Sequence, residues 1–290
     1  MRILHCSDFH VLGHYANTPY RQLGWRRLPA LAELYINKRG EHFAYAKPNV
    51  LRLVAEAFRL QANHIVVSGD LTGYAMEEEF AQAAKLLEGW GLSPARLTVV
   101  PGNHDCYARD SYALFAKHFG ALLHSDMPEY AREGPFPLVR LLGEEAAIVG
   151  LKSARLPFMP GASFGYLGKA QWEGLEALLA DARLKRRWLG VVLHHAPLNA
   201  KGKPDKPHHA FFGAKRLLRR LASPQYALLH GHIHRRYMHP ATPHRPTLFC
   251  AGSSTWRGRE GYWLLEIKDG KLHAFTEHKL PPLEETQAPG

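Results

Sequence analysis

The chain reads as an α/β protein in which two mixed β-sheets pack face to face between outer layers of helix, a four-layer α/β/β/α sandwich. Three observations lead there. Through the first half, apolar strand-like runs alternate with amphipathic helical stretches, the pattern of parallel pairing. Strand-like runs then follow one another through short turns such as Lys268-Asp269-Gly270, which implies antiparallel pairing in a second sheet. Side chains able to bind metal recur where apolar strands end, and ligand sites of layered α/β proteins form in the crevice at strand tips.

The elements follow in order. A strand over 2–7 runs into Asp8-Phe9-His10, and a long irregular excursion, 11–47, separates it from a helix over 48–60. A strand over 64–68 ends in Gly69-Asp70, before a helix over 76–89. The strand 97–100 leads into Gly102-Asn103-His104-Asp105 and a helix over 110–119. A strand pair near 137–142 and 146–151, a helix over 168–182 and a strand over 188–194 come next, the last closing on His194-His195. A helix over 210–222 precedes the strand 226–230, which opens into Gly231-His232-Ile233-His234. Strands near 235–239, 246–251, 261–267 and 271–277 complete the domain, 1–278, with 11–47 as an inserted cap or substrate loop and 279–290 as a polar tail. A chain of this length buries roughly 75% of its unfolded surface, enough for one substantial core.

Composition narrows the setting. The formal charge of +11 suits an anionic partner or a solvated basic surface. Three cysteines, Cys6, Cys106 and Cys250, in a chain too large to need staples point to a reducing compartment. The N-terminus enters a strand at once and no stretch approaches the roughly 20 apolar residues of a membrane span, so a cytoplasmic location is expected. The excursion holds Trp25, Arg26, Arg27 and regularly spaced leucines. It reads as a helix packed on its own domain or, over 20–40, as a basic amphipathic helix at a membrane surface.

Taken singly, several polar blocks could be turns, because Gly, Asp and Asn favour them. Three polar groups within Gly102-Asn103-His104-Asp105 are an odd way merely to turn a chain. His232 and His234 fall on one side of an extended segment. Five such blocks in this order, each at a strand end, make the all-turn reading improbable.

Asp8-x-His10, Gly69-Asp70, Gly102-Asn103-His104-Asp105, His194 and Gly231-His232-x-His234 resemble the five signature blocks of the calcineurin-like metallophosphoesterases. With His194-His195-Ala196-Pro197 and the overall length, the pattern is similar to bacterial cyclic-nucleotide phosphodiesterases and glycerophosphodiesterases. The resemblance implies the same sandwich fold with a dinuclear metal site at the C-terminal strand ends. It assigns Asp8, His10 and His234 to one metal, Asn103, His194 and His232 to the other, and Asp70 to both. It casts His104 as facing the phosphate and donating a proton or hydrogen bond toward the leaving oxygen, with Asp105 holding its ring. His194, at the strand tip, is the expected ligand of the His194-His195 pair. Imidazole and carboxylate without thiolate suit Mn, Fe, Zn or Co.

The implied reaction is hydrolysis of a small anionic phosphodiester, a cyclic nucleotide or glycerophosphodiester, by a metal-bridging hydroxide. His195, Lys201 and His209 are candidate substrate contacts, the last two from the loop 199–209. A membrane-associated nucleotide-sugar or lipid pyrophosphatase and a nuclease are the alternatives. Nucleic acid is not favoured, since no stacking platform is legible.

Overall fold

A computed structural model describes residues 1–13, 26–27, 39–159, 161–281 and 283. Its elements begin β1 (Arg2–Cys6), α1 (Ala46–Arg59), β2 (His64–Val67), α2 (Glu77–Glu88), β3 (Leu97–Val99) and α3 (Ser111–Phe119). They continue β4 (Leu138–Leu142), β5 (Ala146–Gly150), β6 (Gly165–Tyr166), α4 (Lys169–Leu179) and β7 (Trp188–Val192). The remainder is β8 (Phe211–Phe212), α5 (Ala214–Arg220), β9 (Tyr226–His230), β10 (Tyr237–His239), β11 (Thr247–Cys250), β12 (Gly261–Lys268) and β13 (Lys271–Lys279).

One sheet runs β13-β12-β1-β2-β3 and the other β10-β11-β9-β7-β5-β4. Both are mixed: the first is antiparallel from β13 through β12 to β1 and parallel from β1 to β3, and the second is parallel in the middle and antiparallel at both edges. Strand alternation sorts the core into three apolar layers. Ile3, Val66, Ile148, Val192 and Leu229 fill the space between the sheets. Leu4, Ile65 and Val67 face outward onto Val50, Leu53 and Ala57 of α1 and Phe80 of α2. On the far side, Val149, Leu189, Val191 and Leu228 pack against Trp172 and Leu175 of α4 and Leu217 of α5. This is the expected four-layer sandwich, and it brings the C-terminal ends of β1, β2, β3, β7 and β9 to one edge.

Two expectations about elements are corrected. The late strands do not form a second sheet of their own. The hairpin β12–β13 returns to the first sheet, where Arg2 pairs with Glu266 and His5 with Trp263. β12 is buried along most of its length and so needs a strand on each side, whereas β13 alternates exposed and half-buried and makes an edge. β11 instead joins β9 in parallel. The helix expected over 210–222 starts only at Ala214, because Phe211–Phe212 pair with β6 and Gly213, at φ +98°, turns the chain between them.

Of the excursion 11–47, residues 14–25 and 28–38 lie outside the described residues, and the membrane-contacting reading of 20–40 falls mostly on them. The parts described are tied to the domain. Arg27 donates to the Tyr74 and Ala75 carbonyls at 3.1 and 2.7 Å and to Asp110 at 2.9 Å. No helix among the described residues is long and apolar enough to cross a membrane.

His64 of β2 is fully buried with its Nε2 2.8 Å from Thr98 Oγ1, and burial together with Arg140 pushes its pKa down from 6.5 to about 3. The folded state therefore refuses a proton that the unfolded chain accepts. Its contribution is complete above about pH 6.5 and is lost as pH falls toward 3. Each such group steepens the acid loss of stability by about 1 kcal/mol per pH unit. Urea unfolding at pH 7 and pH 5 should show a shallower pH slope for His64→Gln than for the parent. Equal slopes would reject the buried-neutral assignment.

Candidate metal centre

The loops that carry the polar blocks are held in costly backbone conformations. Asp8, His10, Asp70 and His232 have φ of 55°, 46°, 55° and 71°. Such left-handed non-glycine residues cost on the order of 1–3 kcal/mol each and persist only where surroundings over-determine them. Here Asp8, His10 and Val11 donate backbone bonds to Gly69, Asp70 and Leu71 at 2.9, 3.0 and 2.9 Å. From above, Ser253 Oγ donates to the Asp8 carbonyl and Thr255 Oγ1 to the Phe9 carbonyl, both at 2.7 Å.

The block glycines have a simple physical role. A Cβ on Gly231 would fall on Ser7 Oγ and the Asp8 carboxylate, and one on Gly102 would fall on the Asp70 carboxylate and backbone. A Cβ on Gly69 would sit 2.7 Å from the His194 ring. Each glycine is where a neighbouring ligand occupies the space a side chain needs.

The structure brings all seven expected ligands together. Asp8, His10, Asp70 and His234 offer ligand atoms within 4.8 Å of one another. His10 Nε2 lies 3.0 Å from His234 Nε2, and His234 Nε2 lies 3.2 Å from Asp8 Oδ1. On the other side, Asn103 Oδ1 sits 3.0 Å from His194 Nε2 and 2.9 Å from His232 Nδ1. Asp70 Oδ2 lies between the groups, 3.7 Å from His10 Nε2 and 3.2 Å from His194 Nε2.

Two of the imidazoles are oriented by their outer nitrogens. His194 Nδ1–H donates to the Ser68 carbonyl at 2.8 Å and His232 Nε2–H to the His209 carbonyl at 3.0 Å, so His194 Nε2 and His232 Nδ1 face inward. Burial alone would lower the His194 pKa, but the facing Asp70 carboxylate outweighs it and lifts the value to about 9. Burial would likewise raise Asp70, yet His194 and His104 hold it well below the usual carboxylate range. A compact set of oxygen and nitrogen donors, with a carboxylate between two imidazole groups, fits a pair of metal ions.

His104 lines a cavity of about 370 Å³ together with Asp70, Asn103, His232 and His234. Its ring is not held by Asp105, contrary to expectation. His104 Nδ1 is 2.5 Å from the Gly73 carbonyl. The buried Asp105 carboxylate instead accepts from the backbone of Leu71, Thr72 and Gly102 and from the Thr72 hydroxyl, at 2.9 to 3.1 Å. It thereby clamps the Asp70 loop to the Asn103 loop. Burial, with Asp70 nearby, pushes its pKa up to about 6.

His195 is absent from the cavity lining. It is fully buried, its Nε2–H donates to the Ser163 carbonyl and its Nδ1 is bonded to Ser153 Oγ, both at 2.9 Å. Burial takes its pKa down to about 3, so it is a neutral strut, and the inward-facing member of the pair is His194. Lys201 is exposed and absent from the cavity lining, because its backbone folds onto Asn199 Oδ1 at 2.9 Å. His209 does line the cavity, with its ring bonded to Ser163 Oγ. Cys106 is a buried thiol with a pKa pushed up by burial to about 12.

Several site residues were not anticipated. Tyr107 and Gly161 to Ser163 line the cavity, while Phe43 and Trp256 wall the His10–His234 side at 4.5 and 5.2 Å between ring centroids. Gly252-Ser253-Ser254-Thr255 after an apolar strand carries the same kind of signal as the ligand blocks. Tyr107 and Phe43 carry none.

The profile of the calcineurin-like phosphoesterase family matches residues 1–236. The chain belongs to that family. A calcineurin-like phosphoesterase is a hydrolase of phosphoesters that works with two metal ions, and the Asp/His cluster fits such a site. No curated sequence matches the chain. Among solved structures it is similar to a dimetal phosphatase from Danio rerio, at 11% identity and TM-score 0.64, over 93% of each chain. It is also similar to the calcineurin-like phosphoesterase YfkN from Bacillus subtilis, at 12% identity and TM-score 0.50, over 96% of this chain and 89% of that one. A purple acid phosphatase from yellow lupin, at 12% identity and TM-score 0.55, is covered over 53% of its length by 96% of this chain. These likenesses concern the fold.

Proposed function

We propose that this phosphoesterase hydrolyses small phosphodiesters, such as cyclic nucleotides or glycerophosphodiesters. The observation that carries the reading is Asp70 Oδ2, set 3.7 Å from His10 Nε2 and 3.2 Å from His194 Nε2, where one carboxylate serves both ligand groups. Two bound metal ions supply an activated water and neutralise charge on the phosphoryl oxygens. The nitrogen and oxygen donors suit Mn, Fe, Zn or Co.

The protein's own groups do the rest. Among the described residues, the cavity lining contains neither Lys nor Arg, which favours a diester monoanion over a more highly charged monoester. The volume of about 370 Å³ admits a small substrate. His104, held by Gly73 through Nδ1, offers Nε2 to the leaving oxygen and donates a proton there. Three free, buried thiols suit a reducing compartment such as the cytoplasm.

Mn-loaded protein is to be screened against bis(p-nitrophenyl) phosphate, p-nitrophenyl phosphate, cyclic nucleotides, glycerophosphodiesters, UDP-sugars and single-stranded DNA. Diesters should lead in kcat/KM. A preference for the monoester, the UDP-sugar or DNA would replace this reading. His104→Ala should keep its metal content and lose about 10²–10⁴ in turnover, the usual range for general acid catalysis. Full activity in that variant would remove His104 from the mechanism.

A further inference from the structure

Among the described residues, five of the eight large apolar side chains left exposed come from two neighbouring segments, while Leu51, Phe58 and Phe275 lie elsewhere. Leu156, Phe158, Met159, Tyr166 and Phe212 are between 41% and 69% exposed. Phe164 links them, its ring centroid 5.6 Å from Phe158, 6.5 Å from Tyr166 and 5.7 Å from Phe212. The support beneath is built. β6 pairs with β8, and Ser163 and Gly165 donate backbone bonds to His208 and Ala210 at 2.8 and 3.0 Å. Scattered exposed apolar residues are ordinary, but a contiguous face marks an interaction surface.

This face adjoins the metal cavity. Gly161, Ala162 and Ser163 line the cavity, while Phe158 and Met159 before them and Tyr166 after them stand in solvent. Its surroundings are strongly basic. The two segments that build it, 151–166 and 199–220, carry nine Lys and Arg residues and one acid, Asp205; Lys152 and Arg155 pair with Glu133, and Arg216 and Arg220 with Glu176, which leaves Lys201, Lys203, Lys206, Lys215 and Arg219. Lys203, Lys206 and Lys215 are exposed, and Arg155 lies 4.6 Å from the centre of the Tyr166 ring.

Aromatic rings in a basic rim match an anionic lipid surface, where rings enter the headgroup level and lysines meet lipid phosphates. A second copy of the chain would set that basic rim against itself. An apolar partner without acidic groups would leave the exposed Lys203, Lys206 and Lys215 unanswered. We infer that this face docks the protein on an anionic membrane surface, with the metal cavity opening beside the lipid headgroups. That it thereby receives a lipid-derived phosphoester rests on the reading of the site above. The docking itself does not.

The test is co-sedimentation of the metal-loaded full chain with vesicles of phosphatidylcholine alone or mixed with phosphatidylglycerol. The parent should pellet with the anionic vesicles and not with the neutral ones, and salt should release it. Phe158→Asp combined with Phe212→Asp should bind at least about tenfold more weakly while hydrolysing bis(p-nitrophenyl) phosphate at the parental rate. Lys203→Glu with Lys206→Glu, at exposed loop positions, should weaken binding in the same assay if the aromatic variant folds poorly. No preference for anionic vesicles, or parental binding by both variants, would overturn the inference. So would a dimer, seen by light scattering, that these substitutions dissociate, because the face would then belong to a second copy. Loss of all phosphoester turnover in the parent would defeat the enzymatic reading and leave the sedimentation result standing.

Discussion

Asp70→Asn is expected to lower phosphoester turnover by about a thousandfold or more, the several kcal/mol that metal-assisted charge stabilisation supplies. Metal content should fall below the parental value as well. An amide offers one neutral oxygen where the carboxylate offers charge to both groups. Asp70 Oδ2 faces His10 and His194, and Oδ1 accepts the His104 backbone N–H at 2.8 Å. The same side chain therefore ties three blocks together. The raised pKa of His194, about 9, depends on the Asp70 charge outweighing burial. Without that charge the ring should lose its proton near or below neutral pH, a change that NMR of the metal-free variant would detect. Parental turnover with full metal content in Asp70→Asn would refute the bridging role.

Gly102→Ala should be nearly as damaging, although it removes no ligand. The added methyl would fall on the Asp70 carboxylate and backbone. Asp70 has little room to withdraw, since His10 N–H binds its carbonyl at 3.0 Å and its φ is already 55°. Overpacking of this kind costs about 1–3 kcal/mol of stability. Displacement of a group that must be well aligned costs on the order of a hundredfold in rate. Thermal unfolding and turnover should both report it. Gly120→Ala, where nothing lies within 4 Å of the added methyl, serves as the control and should change neither. Parental stability and rate in Gly102→Ala would mean that the close approach is not what the position requires.

Much of the site was legible because of where the chain stops being apolar. Asp8, Asp70, Asn103, His194, His232 and His234 each follow a run such as Leu97-Thr98-Val99-Val100, and strand length and periodicity locate those tips. Element positions were readable for the same reason, since β9 spans Tyr226–His230 as expected. The sheet to which β12 belongs was not readable. Alternation tells which face of a strand is apolar, and both sheets offer such a face to the same central layer. Nor could sequence tell which groups Asp105 and His195 bond. Apart from Gly102, their partners, Leu71, Thr72, Ser153 and Ser163, lie more than thirty residues away.

The sequence by itself placed seven nitrogen and oxygen donors in order at strand ends, with a sandwich to carry them and His104 beside them. Only the tertiary structure decided how they are held and what surrounds them. It gave His194 the inward-facing role, set Asp105 to clamp two loops, and gathered Phe158, Tyr166 and Phe212 into an exposed face beside the cavity. The physical reason lies in range. Ligand type and strand ends are local properties of the chain, whereas hydrogen-bond partners and shared surfaces arise where distant segments meet.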